Sequence, residues 1–231
     1  MTESDHVVQA SFEALRLWPA YSVLSAVLDE LPDLRVYLAG GVIRDICLGR
    51  QATPKDFDFF LGGASADDAL AALTSHGSME TGPFGSPRWY PVNEPGQYCD
   101  LISIDQFYNG LWRCEDIVDA LNQFDFTGNA VAIDLRDGMF YDPQNGRRDM
   151  QRRIMRMIRF DYPDEPIGPG QALTRPVVLW FRVLFYARRF GLTIEPLTRN
   201  WLIAHQAYRE HADTFAKTFF PVGEGFEDAL W

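Results

Sequence analysis

Residues 38–60 read LAGGVIRDICLGRQATPKDFDFF, and the fold is decided in this stretch. The apolar run at 34–39 (LRVYLA) predicts a buried strand, and Gly40-Gly41 turns the chain at once into a helix over 42–48, closed by Gly49. Glycines at that junction let an anion approach backbone N–H groups at a helix start, where the dipole favours negative charge. The pattern is neither a Walker loop nor a GxGxxG fingerprint. A second strand follows at 57–61, and Asp56 and Asp58 stand at i and i+2 in Asp-Phe-Asp-Phe. On a strand that spacing sends both carboxylates to one face and Phe57 and Phe59 to the other. Two adjacent carboxylates repel unless a cation lies between them, which makes them candidate Mg²⁺ ligands. Asp100 lies among apolar neighbours in a third predicted strand, 98–104 (YCDLISI), where a carboxylate is costly unless paired or metal-bound. Taken singly, these are a turn, a solvated strand face and an edge charge. Their order and spacing together suit two-metal phosphoryl or nucleotidyl transfer.

On the N-terminal side, residues 4–30 read as two helices broken at Pro19. On the C-terminal side a helix is expected over 66–75, and residues 82–97, with four Pro and three Gly, are expected to be a loop-rich connection. Residues 115–123 read as a helix, 130–135 as a strand and Asp137-Gly138 as a turn. Residues 161–174 hold three Pro and two Gly between two helix-like stretches and form the clearest boundary. Helices are then expected at 177–190 and 197–208. Strands interleaved with helices, then helices alone, predict an α/β (α+β) domain over 1–160 with a mixed sheet, and a short helical appendage over 161–231.

Composition narrows the chemistry. The 231 residues carry 32 Asp and Glu against 21 Lys and Arg, a net charge of −11, so a general duplex-coating protein is excluded. The charge is uneven: residues 147–159 (RRDMQRRIMRMIR) hold six Arg and one Asp. Arg147, Arg148, Arg152, Arg153 and Arg156 are candidate RNA or phosphate contacts, or else a solvated basic face, and both readings stay open. The aromatics Trp89, Tyr90, Tyr98, Phe107, Tyr108 and Trp112 could stack on a base, although core packing is the commoner use. Three widely spaced cysteines without a CxxC predict reduced thiols rather than disulfides or zinc. The N-terminus lacks the pattern of a signal peptide and no apolar run is long enough to span a bilayer, so the expected location is the cytoplasm, without membrane contact.

The sequence resembles the head domain of the tRNA CCA-adding enzymes and bacterial poly(A) polymerases, in the DNA polymerase beta nucleotidyltransferase superfamily. The family's Gly-Gly-x-Val-Arg-Asp and Lys-Asp-x-Asp are matched by Gly40-Gly41-Val42-Ile43-Arg44-Asp45 and Lys55-Asp56-Phe57-Asp58. Its Arg-Arg-Asp-Phe-Thr-x-Asn-Ala is similar to Gln123–Ala130, and its Asp-Pro-x-x-Gly…Asp…Ile-Arg to Asp142-Pro143, Gly146, Asp149, Ile154 and Arg156. A neck-like pattern recurs at Phe181-Arg182, Tyr186-Ala187, Arg189, Gly191, Ile194 and Pro196.

The resemblance implies a nucleotidyltransferase head followed by a helical neck-like region. It implies that Gly40 and Gly41 hold an NTP (ATP among them) with Arg44, Asp45 and Lys55 nearby, and that Asp125 and Asn129 line the nucleotide site. Asp56 and Asp58 would bind two Mg²⁺ ions and act in catalysis, with Asp100 as the third acidic residue. The implied reaction is in-line transfer of NMP from an NTP to an acceptor hydroxyl, with an RNA 3′ end as one acceptor and a small molecule or a protein as others. A catalytically inactive nucleotide-binding regulatory module is the alternative. Two departures stand out. Gln123-Phe124 replaces the arginine pair, and only 33 residues follow Thr198, so a full tRNA clamp is not expected.

Overall fold

The computed structural model describes residues 3–50, 56–82, 84–92, 96–168 and 170–230. In chain order the elements are α1 (Glu3–Arg16), α2 (Tyr21–Glu30), β1 (Arg35–Ala39), α3 (Gly41–Cys47), β2 (Asp56–Gly62), α4 (Ala66–Thr74), β3 (Gly77–Thr81), β4 (Pro87–Pro91) and β5 (Tyr98–Ser103). There follow α5 (Ile117–Leu121), β6 (Ala132–Asp134), β7 (Phe140–Tyr141), α6 (Gly146–Gln151), β8 (Ile154–Met155), α7 (Arg175–Phe190), β9 (Thr193–Ile194), α8 (Pro196–Ala204) and α9 (Ala212–Thr218). Short 3₁₀ turns lie at Ile104–Gln106, Gln206–His211 and Phe226–Leu230.

Seven strands form one mixed sheet in the order β3-β4-β5-β2-β1-β6-β7, with β2 and β5 parallel and the other pairs antiparallel. The expected α/β sheet is present, and its two faces follow from strand alternation. Val36, Leu38, Phe57, Phe59, Leu61, Cys99 and Leu101 are buried in one large cluster with Leu15, Trp18, Leu24, Val27 and Leu28 of the N-terminal helices and linker and with Leu73 of α4. Trp18 closes on Phe57 at 4.8 Å between ring centroids, which fixes that helical layer on the sheet. Tyr37, Ala39, Phe60 and Ala132 belong to a second, smaller cluster, covered by Ile117, Ala120 and Leu121 of α5. Asp56 and Asp58 share the parity of Phe60. They therefore sit where this second face runs out of apolar cover.

The large cluster continues past residue 160 through Tyr162, Ile167 and Leu173 into Val177, Trp180, Phe181 and Leu184 of α7. The segment just before 160 is extended rather than helical: β8 pairs in parallel with β9 beyond α7. Arg153 makes this possible by taking φ +53°, and its side chain donates to the Phe190 carbonyl at 3.0 Å.

Residues 82–97 also depart from the loop expected there. β4 occupies 87–91 between β3, itself unanticipated, and β5. The prolines mark its ends, Pro87 opposite Thr81 and Pro91 opposite Gly77, and only Arg88 and Trp89 pair with β5. The fully buried Trp89, edge-on to Trp18 at 6.1 Å, holds the strand in place against its proline content. The predicted helix at 197–208 ends earlier, at Ala204, where His205 Nδ1 meets the Trp201 carbonyl at 2.8 Å.

No glycine closes α2. Arg136, in the turn after β6, does so instead: its Nη2 donates to the carbonyls of Leu28, Leu31 and Leu34 at 2.9, 3.0 and 3.1 Å. Arg136→Ala should cost about 2 kcal/mol of unfolding free energy, the usual worth of charged hydrogen bonds at a helix end. Urea denaturation measures it, and a loss below about 0.5 kcal/mol would mean that water satisfies those carbonyls equally well.

Candidate active site

Strand pairing builds one row of side chains across the sheet. Ala132, Ala39, Asp58, Asp100, Arg88 and Glu80 are successive register partners on β6, β1, β2, β5, β4 and β3. Asp56 pairs with Tyr98 one step along the same face, and the Tyr98 hydroxyl donates to Asp56 Oδ2 at 3.2 Å. Small residues flank Asp58 on one side and charged ones on the other.

Gly40 ends β1 beside Asp58. Its φ is +76°, a turn that favours glycine, and a Cβ there would come within 2.9 Å of Asp58 Oδ2, so the carboxylate would have to shift. The Asp58 carboxyl is pushed up to about 7, first by burial, then by Asp100 and Asp56, against the pull of Arg182 and Arg44. Three acids crowded on two adjacent strands form the donor chemistry that a hard cation relieves.

Asp100 is already engaged. Arg88 Nε donates to its Oδ1 at 2.7 Å and Nη2 to its Oδ2 at 3.0 Å, and the guanidinium lies over the Tyr98 ring, 4.0 Å from the centroid. Among the described residues no group of three His, Cys, Asp or Glu side chains is placed to hold a metal ion. With Asp100 held by Arg88, Asp56 and Asp58 are left as the candidate carboxylate pair for a divalent cation.

Behind this row runs a polar ladder. Buried Arg44 donates from Nε to Asp45 Oδ1 and from Nη1 to Asn129 Oδ1, both at 2.9 Å. Asn129 Nδ2 donates to Asp125 Oδ1 at 3.0 Å, and Arg182 Nε on α7 donates to Asp125 Oδ2 at 2.8 Å. Arg44 also lies over Tyr186 and Phe190 of α7, at 4.8 and 4.6 Å from their ring centroids. The structure thus joins Arg44, Asp45, Asn129 and Asp125 to one another and to the helix that follows residue 174. Lys55 lies outside the described residues.

The five candidate arginines of 147–156 divide. Arg156 pairs with Asp149 and donates to the Gln144 carbonyl, and Asp149 also accepts from Thr127 Oγ1 at 2.7 Å. Gly146 allows this brace to form, because a Cβ there would meet the Thr127 carbonyl oxygen at 1.9 Å. The Arg153 side chain reaches Phe190 as described, and the Arg147 backbone N–H donates to Asp142 Oδ2. Arg148, Arg152 and Arg153 are exposed, Arg153 while still reaching the Phe190 carbonyl.

The departure at 123–124 has a packing cause. Gln123 is buried, donates to the Trp112 carbonyl at 2.7 Å and accepts the Asn109 N–H at 3.3 Å. Phe124 packs on Phe60 and Phe107, at 5.5 and 6.0 Å between centroids. Gln123's hydrogen bonds and Phe124's ring contacts thus occupy both positions. Arg88 and Arg182 join the candidate site, although the sequence assigned neither of them a role there. Arg182 stood in the neck-like pattern, but Arg88 had no local signal, because it lies between two prolines.

No family model matches the chain. It is 30% identical over 141 residues to the CCA-adding enzyme of Francisella tularensis subsp. novicida (strain U112), an alignment covering 58% of this chain and 36% of that protein. It is 30% identical over 174 residues to the multifunctional CCA protein of Xanthomonas oryzae pv. oryzae (strain MAFF 311018), covering 71% of this chain and 38% of the relative. Among solved structures, a tRNA nucleotidyltransferase complexed with a primer tRNA and an incoming ATP analog superposes with a TM-score of 0.59 at 22% identity, covering 84% of this chain and 54% of that one. The chain therefore has the nucleotidyltransferase fold and is related in sequence to the CCA-adding enzymes, of whose length it spans little more than a third.

Proposed function

We propose that this chain transfers a nucleoside monophosphate from an NTP to an acceptor hydroxyl, with an RNA 3′ end as the acceptor. The carrying observation is the pair Asp56 and Asp58 on the open end of a sheet face, with Gly40 pressed against Asp58. Asp56 and Asp58 would hold Mg²⁺, which supplies charge neutralisation at the reacting phosphate. Gly40 and Gly41 would take the triphosphate, since only a side-chain-free turn admits phosphate oxygens beside Asp58. Asp125 and Asn129 would line the nucleotide pocket, their orientation fixed by Arg44 and Arg182. The acceptor oxygen attacks the α-phosphorus in line, and pyrophosphate and the hydroxyl proton leave. Exposed Arg148 and Arg152 are the candidates for an RNA phosphate contact. The cytoplasm is the proposed place of action.

A second reading, a nucleotide-binding module without turnover, is favoured by the capture of Asp100 by Arg88. Incubation with each α-labelled NTP, Mg²⁺ and total RNA separates the two. The expected result is labelled RNA with pyrophosphate release, abolished in Asp56→Ala. Label on a small molecule or protein would move the acceptor, and calorimetric NTP binding without any pyrophosphate release would establish the module instead.

A further inference from the structure

Arg88, on β4, is a cation that the sheet itself delivers to the acidic row. It reaches Asp100 because β4 lies between β3 and β5, and it engages both carboxylate oxygens in the two-pronged geometry that makes Arg–carboxylate pairs strong. Both partners are mostly buried, with 19% and 17% of their side chains exposed, so water screens the pair weakly. The ring of Tyr98 backs the guanidinium, and the same Tyr98 donates its hydroxyl to Asp56. Arg88 therefore neutralises the acid on one side of Asp58 and, through Tyr98, orients the acid on the other. A guanidinium cannot be deprotonated, so its charge is permanent.

We propose that Arg88 takes the place of a second metal ion, so that this site holds one divalent cation, at Asp56 and Asp58, and Asp100 is a strut rather than a ligand. The inference rests on the reading of Asp56 and Asp58 as cation ligands and replaces the expectation of two ions. Arg88 is a positioning residue. It sets how many ions the acidic row accepts and which carboxylates meet them.

Mn²⁺ titration of the full chain, with free Mn²⁺ read by electron paramagnetic resonance, tests this without any turnover. One bound ion is expected in the wild type and in Asp100→Asn, with dissociation constants within about threefold of each other. Arg88→Met, which frees Asp100, is expected to bind a second ion that the double variant Arg88→Met/Asp100→Asn does not. Two ions in the wild type, or weakening of tenfold or more by Asp100→Asn, overturns the inference while leaving Asp56 and Asp58 as ligands. No bound ion in the wild type, with Asp56→Asn indistinguishable from it, overturns both that reading and this one. Should Arg88→Met fail to fold, the wild-type count and the Asp100→Asn arm decide alone.

Discussion

Asp58→Asn is expected to lower NTP turnover by about a thousandfold or more, because it removes one of the two carboxylates on which cation binding is proposed to depend. The same variant should be more stable than the wild type in cation-free protein near pH 8. The Asp58 carboxyl is pushed up to about 7 by burial and by Asp100 and Asp56. Between the unfolded value of about 4 and that folded value, the folded chain holds a proton that the unfolded chain has lost. The stability linked to this proton is present in full below about pH 4 and is lost as the pH rises through about 7. Taking metal-free wild type from pH 5 to pH 8 should therefore cost on the order of 3 kcal/mol, several degrees in Tm. Asp58→Asn should show little of that slope, and Mg²⁺ should restore the wild type at pH 8. Loss of turnover together with lost stability would instead place Asp58 in the framework, and unchanged turnover would end the catalytic reading.

The parts of this site that were legible in the sequence are those set within one or two neighbouring elements. Gly40-Gly41 between a β run and a helix fixes its own geometry, and Asp56 and Asp58 declare a shared face through the period of two, with Phe57 and Phe59 as the internal control. The parts that were not legible depend on sheet order. Asp100 reads as a third carboxylate along the chain, and only the placement of β4 beside β5 shows that Arg88 holds it. β4 was hidden because its stabilising contact is Trp89 against Trp18, some seventy residues upstream, while its local composition of proline and glycine argues for a loop. Gln123-Phe124 reads as two missing cations. In the folded chain those positions support the 109–114 segment and the second apolar cluster, so their chemistry answers to packing. The arginines of 147–156 read as one basic stretch, yet in the fold Arg156 is tied to Asp149 while Arg148 and Arg152 are exposed.

Arg182→Met should destabilise the protein by about 3–5 kcal/mol, close to 10 °C in Tm, because it strands Asp125 as an uncompensated and nearly buried charge. The Asp125 side chain is only 10% exposed, and Arg182 meets its Oδ2 through both Nε and Nη2 at 2.8 Å. The Asn129 amide and the Phe126 N–H remain as neutral donors to Asp125, but two neutral donors do not balance a carboxylate in that setting. Removing the charge as well should recover much of the loss: Arg182→Met/Asp125→Asn is expected to be more stable than Arg182→Met alone. A double-mutant cycle by urea denaturation would give a coupling energy of at least about 1 kcal/mol. A coupling near zero would mean that water hydrates Asp125 and that the ladder does not tie α7 to the sheet. The effect should also reach the acidic row, because Arg182 lowers the proton affinity of Asp58 from across the site. In metal-free protein the pH at which stability falls should therefore rise in Arg182→Met. That shift would distinguish a charge acting on Asp58 from a side chain that merely fills space beneath Tyr186.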